Sequence, residues 1–299
     1  MTISFFFRDT KPFGRLVGLF LIFMACSFIS IPLGMIGRLF PDMGEAGAIR
    51  LELVATALAQ LVTFLLSAWL FAKLFCEKPS QAMGLRCQGR YWLLGLVAVA
   101  IILLLVPVID WITAWNDSWT FGPLEESFRK TADTLKDMTN RMLSLSSPGD
   151  LLLQIVVVAL VPAVCEELFF RAILQPTLQS WVRNGHVGIL LAAVIFSLAH
   201  GDLYGFLPRF VLGVVLGYLF WFTGSTVVNA MAHFVNNLSI VILYHLYNTG
   251  RVGISPTEPF GFGWELIVPC TLGAILLFYI YFVKNEKIEP SDPISVTPE

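Results

Sequence analysis

Eight stretches of this 299-residue chain are apolar enough to sit in a lipid bilayer, and together they account for most of its length. They run over roughly 16–36, 53–76, 91–109, 151–175, 188–201, 204–222, 226–245 and 263–283. A helix needs about 20 apolar residues to cross the hydrocarbon core. Only 188–201 falls clearly short. Inside a bilayer each backbone N–H and C=O must find its partner without water, and runs of this length meet that demand as α-helices. The expected fold is therefore all-α, a polytopic membrane protein of about eight transmembrane helices. Charged residues make up 13% of the chain, half the roughly 25% of soluble domains.

The remaining composition narrows the function by exclusion. Net charge is −2, so no basic excess points to nucleic acid and no acidic block to a solvating tail. The five cysteines, Cys26, Cys76, Cys87, Cys165 and Cys270, are odd in number and contain no CxxC. They suit apolar filling better than a disulfide framework or a zinc finger. With the N-terminus placed in the cytoplasm, ten Lys and Arg fall on that side and seven opposite. That bias puts both termini inside; the expected location is a prokaryotic cell membrane.

Four regions follow. Residues 1–150 hold the N-terminal helices and a long interfacial loop, 110–150. Residues 151–245 carry the polar motifs, 246–283 the last helix, and 284–299 a proline-rich polar tail expected to be disordered. In the loop, Trp111, Trp115 and Trp119 recur every four residues, and Leu124, Phe128, Leu135, Met138, Met142 and Leu145 continue a 3–4 rhythm among charges. This is the pattern of an amphipathic segment lying at the interface. Gly213 and Gly217 form a small-xxx-small pair that favours close helix contact.

A few polar residues sit too deep to be decoration, because ionisable groups in a span are costly. The fourth span carries Glu166, Glu167 and Arg171 in "CEELFFR". Glu167 and Arg171 are four apart and can neutralise each other. Glu166, turned about 100° away, is left over. A desolvated carboxylate suits a base working near neutral pH. Pro162, four residues earlier, removes a backbone bond and should kink the helix. The fifth span ends "FSLAH", with Phe196 and His200 on one face. The seventh contains "NAMAHFVNN", where Asn229, His233 and Asn237 recur every four residues as a polar stripe that must face the bundle interior.

A structural bond between helices could be made with Ser, Thr or Asn alone. Two histidines with an unpaired glutamate fit chemistry better. A glutamate and a histidine can deprotonate a shared water, while a histidine and an amide can donate to a developing oxyanion. That is acyl hydrolysis, most plausibly of a peptide bond. His200, His233 and Glu166 could instead hold a catalytic zinc with an open position, so the cofactor is either zinc or none. No H-E-x-x-H and no G-x-S-x-G occurs. Ser225 in "TGSTVV" reads as a turn residue and Asp202 as a helix-end residue.

The three motifs, "EELFFR", "FSLAH" and "HFVNN", stand in the order E-E-x-x-x-R, F-x-x-x-H, H-x-x-x-N. In this the chain resembles the CPBP family of membrane proteases, which includes the type II CAAX prenyl endopeptidases and bacteriocin-processing and immunity-associated proteins. The similarity covers about 150–245. It implies an intramembrane endopeptidase whose site opens toward the cytoplasm. Glu166 would activate water with His200, His233 and Asn237 would stabilise the oxyanion, and Glu167, Arg171 and Phe196 would hold the site in shape. The substrate would be a membrane-associated protein or peptide, prenylated or not, met within the lipid bilayer. The alternatives are a non-catalytic scaffold or immunity protein, or a proton-coupled transporter, although the repeated halves usual in transporters are not visible. One geometric tension remains. Helices starting at 188 and ending at 175 place His200 about 18 Å deep and Glu166 about 14 Å, at 1.5 Å per residue.

Overall fold

The computed structural model describes residues 7–34 and 44–284. The expected disordered tail from 285 onward lies outside the described residues, as do Arg38 and Lys287 of the charge count. The described residues form nine helices of more than one turn and no strand: α1 Pro12–Gly34, α2 Gly44–Phe75, α3 Arg90–Asp117, α4 Glu125–Met142, α5 Pro148–Val182, α6 Gly185–Leu198, α7 Phe206–Thr223, α8 Thr226–Asn248 and α9 Trp264–Val283. Seven are long and apolar enough to span, and α6 is the short eighth. The amphipathic α4 is the only one of the nine that is polar overall.

Boundaries moved where polar residues sit at helix ends. α3 runs eight residues past the expected end, so Trp111 and Trp115 belong to a span and not to the loop. Their rings stack 6.0 Å apart, Trp111 also meets Trp264, and Trp119, Phe121, Phe128 and Tyr204 continue the aromatic series down to α4. Amphipathic rings of this kind favour the headgroup level. α5 continues seven residues past the expected end, through Gln175, Thr177 and Gln179, to Val182.

α5 is the axis of the molecule. Every residue from Cys165 to Leu178 is buried. One apolar layer joins it to α1 and α2 through Leu19, Phe71, Phe75, Phe169 and Phe170, with Phe196 of α6 at its edge. A second layer packs α3 against α7, α8 and α9. In lipid, close approach supplies the contact energy that water would otherwise drive. At the α6–α7 crossing a Cβ on Gly213 would stand 3.1 Å from that of Ala193, and one on Gly217 would stand 2.7 Å from Ile189. The small-xxx-small pair is thus the contact surface.

The connections separate by charge. One end holds the start of α1 and the turns at 76–89, 183–184 and 224–225; there the described Lys and Arg number nine, against the two acids Asp9 and Glu77. The other end holds 118–147, 199–205 and 249–263, with seven basic residues against twelve acids. Hydrogen bonds tie each end together. Thr226 Oγ1 donates to Gly84 O at the first, and Asn248 Nδ2 to Leu143 O at the second.

Candidate active site

α5 departs from regular α-helix twice. Residues 155–160 and 167–174 wind as π-helix around the α-helical Val161–Glu166, with Pro162 in its first turn. Proline lacks the N–H that a regular ladder would use, and π-turns recur at functional sites. The three motif residues of α5 lie at the second junction.

Glu167 is fully buried and saturated. Its Oε1 faces His233 Nδ1 at 2.9 Å, and its Oε2 accepts from Asn229 Nδ2 at 3.1 Å. Arg171 Nε approaches the same Oε2 at 3.4 Å. The expected Glu167–Arg171 pair therefore exists, but Glu167 also reaches across to α8. Asn229 spends its second amide hydrogen on Leu216 O of α7 at 2.6 Å. Side chains of α5 and α8 meet on one carboxylate, and Asn229 ties α7 to it.

Phe196 connects the histidines. Its ring lies edge-on to His200 at 5.0 Å and to His233 at 5.9 Å between centroids, with the Arg171 guanidinium 4.9 Å from its centre. His200 lies in the turn just past α6, not within the helix, and is exposed. Its Nδ1 stands 2.8 Å from Phe196 O. A carbonyl only accepts, so Nδ1 carries the hydrogen and Nε2 keeps a lone pair. The same logic fixes His233, whose Nδ1 faces a carboxylate. Both rings thus leave Nε2 outside those bonds.

Glu166 is 6% exposed and its Oε2 is buried without a hydrogen-bond partner. It lies within electrostatic reach of His200. The depth tension disappears once the true boundaries are used. Glu166 is sixteen residues from Val182 and His200 fifteen from Gly185, about 24 and 22 Å along the helix at 1.5 Å per residue. Asn237 is half-buried one turn beyond His233, and its Oδ1 accepts from Asn236. Its own amide hydrogens face no described partner in the site. As for zinc, an imidazole that spends Nδ1 on an acceptor is oriented as metal ligands are. Yet among the described residues no three of His, Cys, Asp and Glu converge as a ligand set. His200, His233 and Glu166 do not fit that role as placed, and no step below runs through a metal.

Three residues escaped the sequence reading. Asn116, fully buried at the end of α3, donates to Leu203 O at 3.1 Å and accepts from Leu207 N at 2.7 Å, clamping the turn that carries His200. Tyr204 donates to Glu125 Oε1 at 2.6 Å beneath the Arg129 guanidinium, which ties α4 to that turn. Arg209 pairs with Asp202 at 3.0 Å. Nothing in their spacing marks them. Asn229 did have a signal, its place in the polar stripe one turn before His233. Ser225 caps α8 by accepting from Val228 N.

Residues 148–239, which hold all three motifs, match the family described as type II CAAX prenyl endopeptidase Rce1-like. No curated protein and no solved structure matches the chain. That match covers the motif-bearing segment and supports the resemblance of this part of the chain to the CPBP membrane proteases.

Proposed function

We propose that this protein is an intramembrane endopeptidase that hydrolyses a peptide bond of a membrane-associated protein or peptide with an activated water, and that residues 151–245 form its catalytic core. The observation that carries this reading is the contrast between adjacent carboxylates. Glu167 is fully committed to three partners, while the buried Oε2 of Glu166 has none. A desolvated carboxylate oxygen without a partner is expensive and suits a water-binding base.

In this scheme Glu166 and the Nε2 of His200 hold the water and take its proton as it attacks the carbonyl. Glu167 fixes the His233 ring. A His233 protonated at Nε2 then donates to the oxyanion beside the Asn237 amide. The proton held by Glu166 passes to the leaving nitrogen. Arg171 balances the charge of Glu167, and Phe196 sets the spacing of the rings. With the basic end at the cytoplasm, as the excess of Lys and Arg there favours, the turn carrying His200 lies at the opposite end, so the site does not open toward the cytoplasm as the family resemblance implied.

The test is cleavage of a farnesylated C-a-a-X peptide, alongside unprenylated membrane peptides, by protein reconstituted in bilayers. Wild type cleaves at least one. His200→Ala and His233→Ala insert and remain folded but lose at least 10²-fold in rate, the usual contribution of a positioned acid or base. Undiminished cleavage by either variant contradicts the scheme.

A further inference from the structure

Arg171 is fully buried, yet its Nε, Nη1 and Nη2 have no hydrogen-bond partner. Nε only approaches Glu167 Oε2, at 3.4 Å. Three buried acceptors nearby are orphaned as well: Glu166 Oε2, Asn229 Oδ1 and Gln175 Oε1. Gln175 is 1% exposed and Asn229 0%. Buried polar atoms nearly always find a partner, either in the protein or in ordered water, because leaving them unpaired is costly.

These atoms form one connected series. Glu167 Oε2 meets both Arg171 Nε and Asn229 Nδ2. Asn229 Nδ2 also donates to Leu216 O at 2.6 Å, and Gln175 Nε2 donates to the next carbonyl, Gly217 O, at 3.0 Å. Gln175 stands about one turn beyond Arg171 on α5. Glu166 lies within electrostatic reach of Arg171. A Cβ on Gly217 would stand 3.1 Å from Gln175 Oε1, so the glycine leaves space beside that oxygen. The series ends in a cavity at the basic end, where the turn after α2 meets the α5–α6 turn and the end of α7. Gln175 belongs to its buried wall and the exposed Asn184 to its rim, with Gln179 and Ser180 between. Its volume is about 260 Å³, several times the ~30 Å³ of one water in the liquid.

The orphans select their occupant. An anion would satisfy Arg171 but not three acceptors, one of them a carboxylate. A cation would do the reverse. Water both accepts and donates, and it is small enough to fit between packed helices. We propose that a file of water molecules runs from the basic-end cavity past Gln175, Asn229 and Arg171 to Glu166, and, on the peptidase reading above, that it supplies the water Glu166 activates. The turn carrying His200 lies at the other end of the bundle, so this route stays open when a peptide covers that turn.

The experiment is hydroxyl-radical footprinting of full-length protein in bilayers, pulsed milliseconds after mixing into water that carries heavy oxygen. Side chains beside exchanging water take up the label. Ile189 Cγ2 and Gln175 Oε1 flank the same point above Gly217, and the Phe196 ring covers the Arg171 guanidinium at 4.9 Å. Ile101 and Phe71, equally buried in the apolar layers, are the dry controls. In wild type Ile189 and Phe196 are expected to take up roughly ten-fold more label than Ile101 and Phe71. Gln175→Met keeps the side-chain length, removes its polar end and is expected to cut the uptake at Phe196 roughly five-fold. Should that variant not fold, Ser180→Trp, which fills the cavity mouth, is expected to do the same. Uptake in wild type no greater than in the controls overturns the file. Undiminished uptake at Phe196 in a folded variant also overturns it, because the water then enters from the His200 end. The footprint needs no cleavage. A labelled protein that cleaves no peptide loses the peptidase reading alone, and an active protein with dry Ile189 and Phe196 loses the file alone.

Discussion

Replacing Glu167 by glutamine separates two things this carboxylate does. It is the anionic partner of Arg171, and it orients His233. Both Glu167 and Arg171 are fully buried. Removing one member of such a pair strands the other charge and costs about 3–5 kcal/mol. The Arg171–Phe196 contact persists in both proteins and cancels. At roughly 2–4 °C per kcal/mol for a chain of this size, Glu167→Gln should lower Tm by on the order of 10 °C. The double variant Glu167→Gln/Arg171→Met removes the stranded cation as well. Because a buried pair exchanged for neutral groups of similar volume is often neutral, most of the lost Tm should return. Activity should not. A glutamine cannot serve as the anionic partner of a His233 that carries hydrogens on both ring nitrogens, the form that donates from Nε2 to the oxyanion. The assay is thermal unfolding in detergent beside peptide cleavage in bilayers for the four corners of the cycle. A Glu167→Gln protein as stable as wild type refutes the claim that Arg171 depends on Glu167. A double variant that regains activity refutes the positioning of His233.

Two further outcomes follow from the turn that carries His200. Asn116→Ala removes two buried hydrogen bonds and leaves Leu203 O and Leu207 N unsatisfied, at about 1–3 kcal/mol for each orphaned group. A lower Tm together with faster proteolysis near Gly201 would show it, and an unchanged protease pattern would argue against the clamp. The second concerns acid. The Tyr204 hydroxyl, with help from Phe121 N–H, holds the Glu125 carboxyl below its ordinary range. A depressed folded value means the contact contributes fully above the unfolded value of about 4.3 and is lost as pH falls through the folded value. The α4 attachment should therefore loosen only below about pH 4, seen as a change in tryptophan fluorescence that Tyr204→Phe largely removes. An identical acid transition in Tyr204→Phe would contradict it.

The helices were readable because the bilayer imposes composition on them, and even the short α6 showed its apolar run. Their ends were not, since a span may finish in residues of mixed polarity: Asp110 and Asn116 in α3, Gln175 and Gln179 in α5. Correcting those ends is what brought Glu166 and His200 to similar depth. In the site, a charge inside an apolar run is conspicuous, so Glu166, Glu167, Arg171, His200 and His233 stood out. Pairing within one helix follows from spacing, and Glu167 with Arg171 was found that way. Pairing between helices does not. The bond from Glu167 to His233 depends on how α5 and α8 face each other and on the π-turns that shift the face of α5. Asn116 lies eighty-seven residues from the carbonyl it holds, with no periodicity to announce it.

The most direct measurement concerns Glu166. Because its Oε2 bonds to nothing in the protein and its burial as a charge is costly, Glu166→Gln should leave Tm no lower than that of wild type and leave peptide binding intact. Single-turnover cleavage of the same bound peptide should fall at least 10²-fold, the contribution expected of a general base. Cleavage at the wild-type rate by a folded, peptide-binding Glu166→Gln protein would contradict the account.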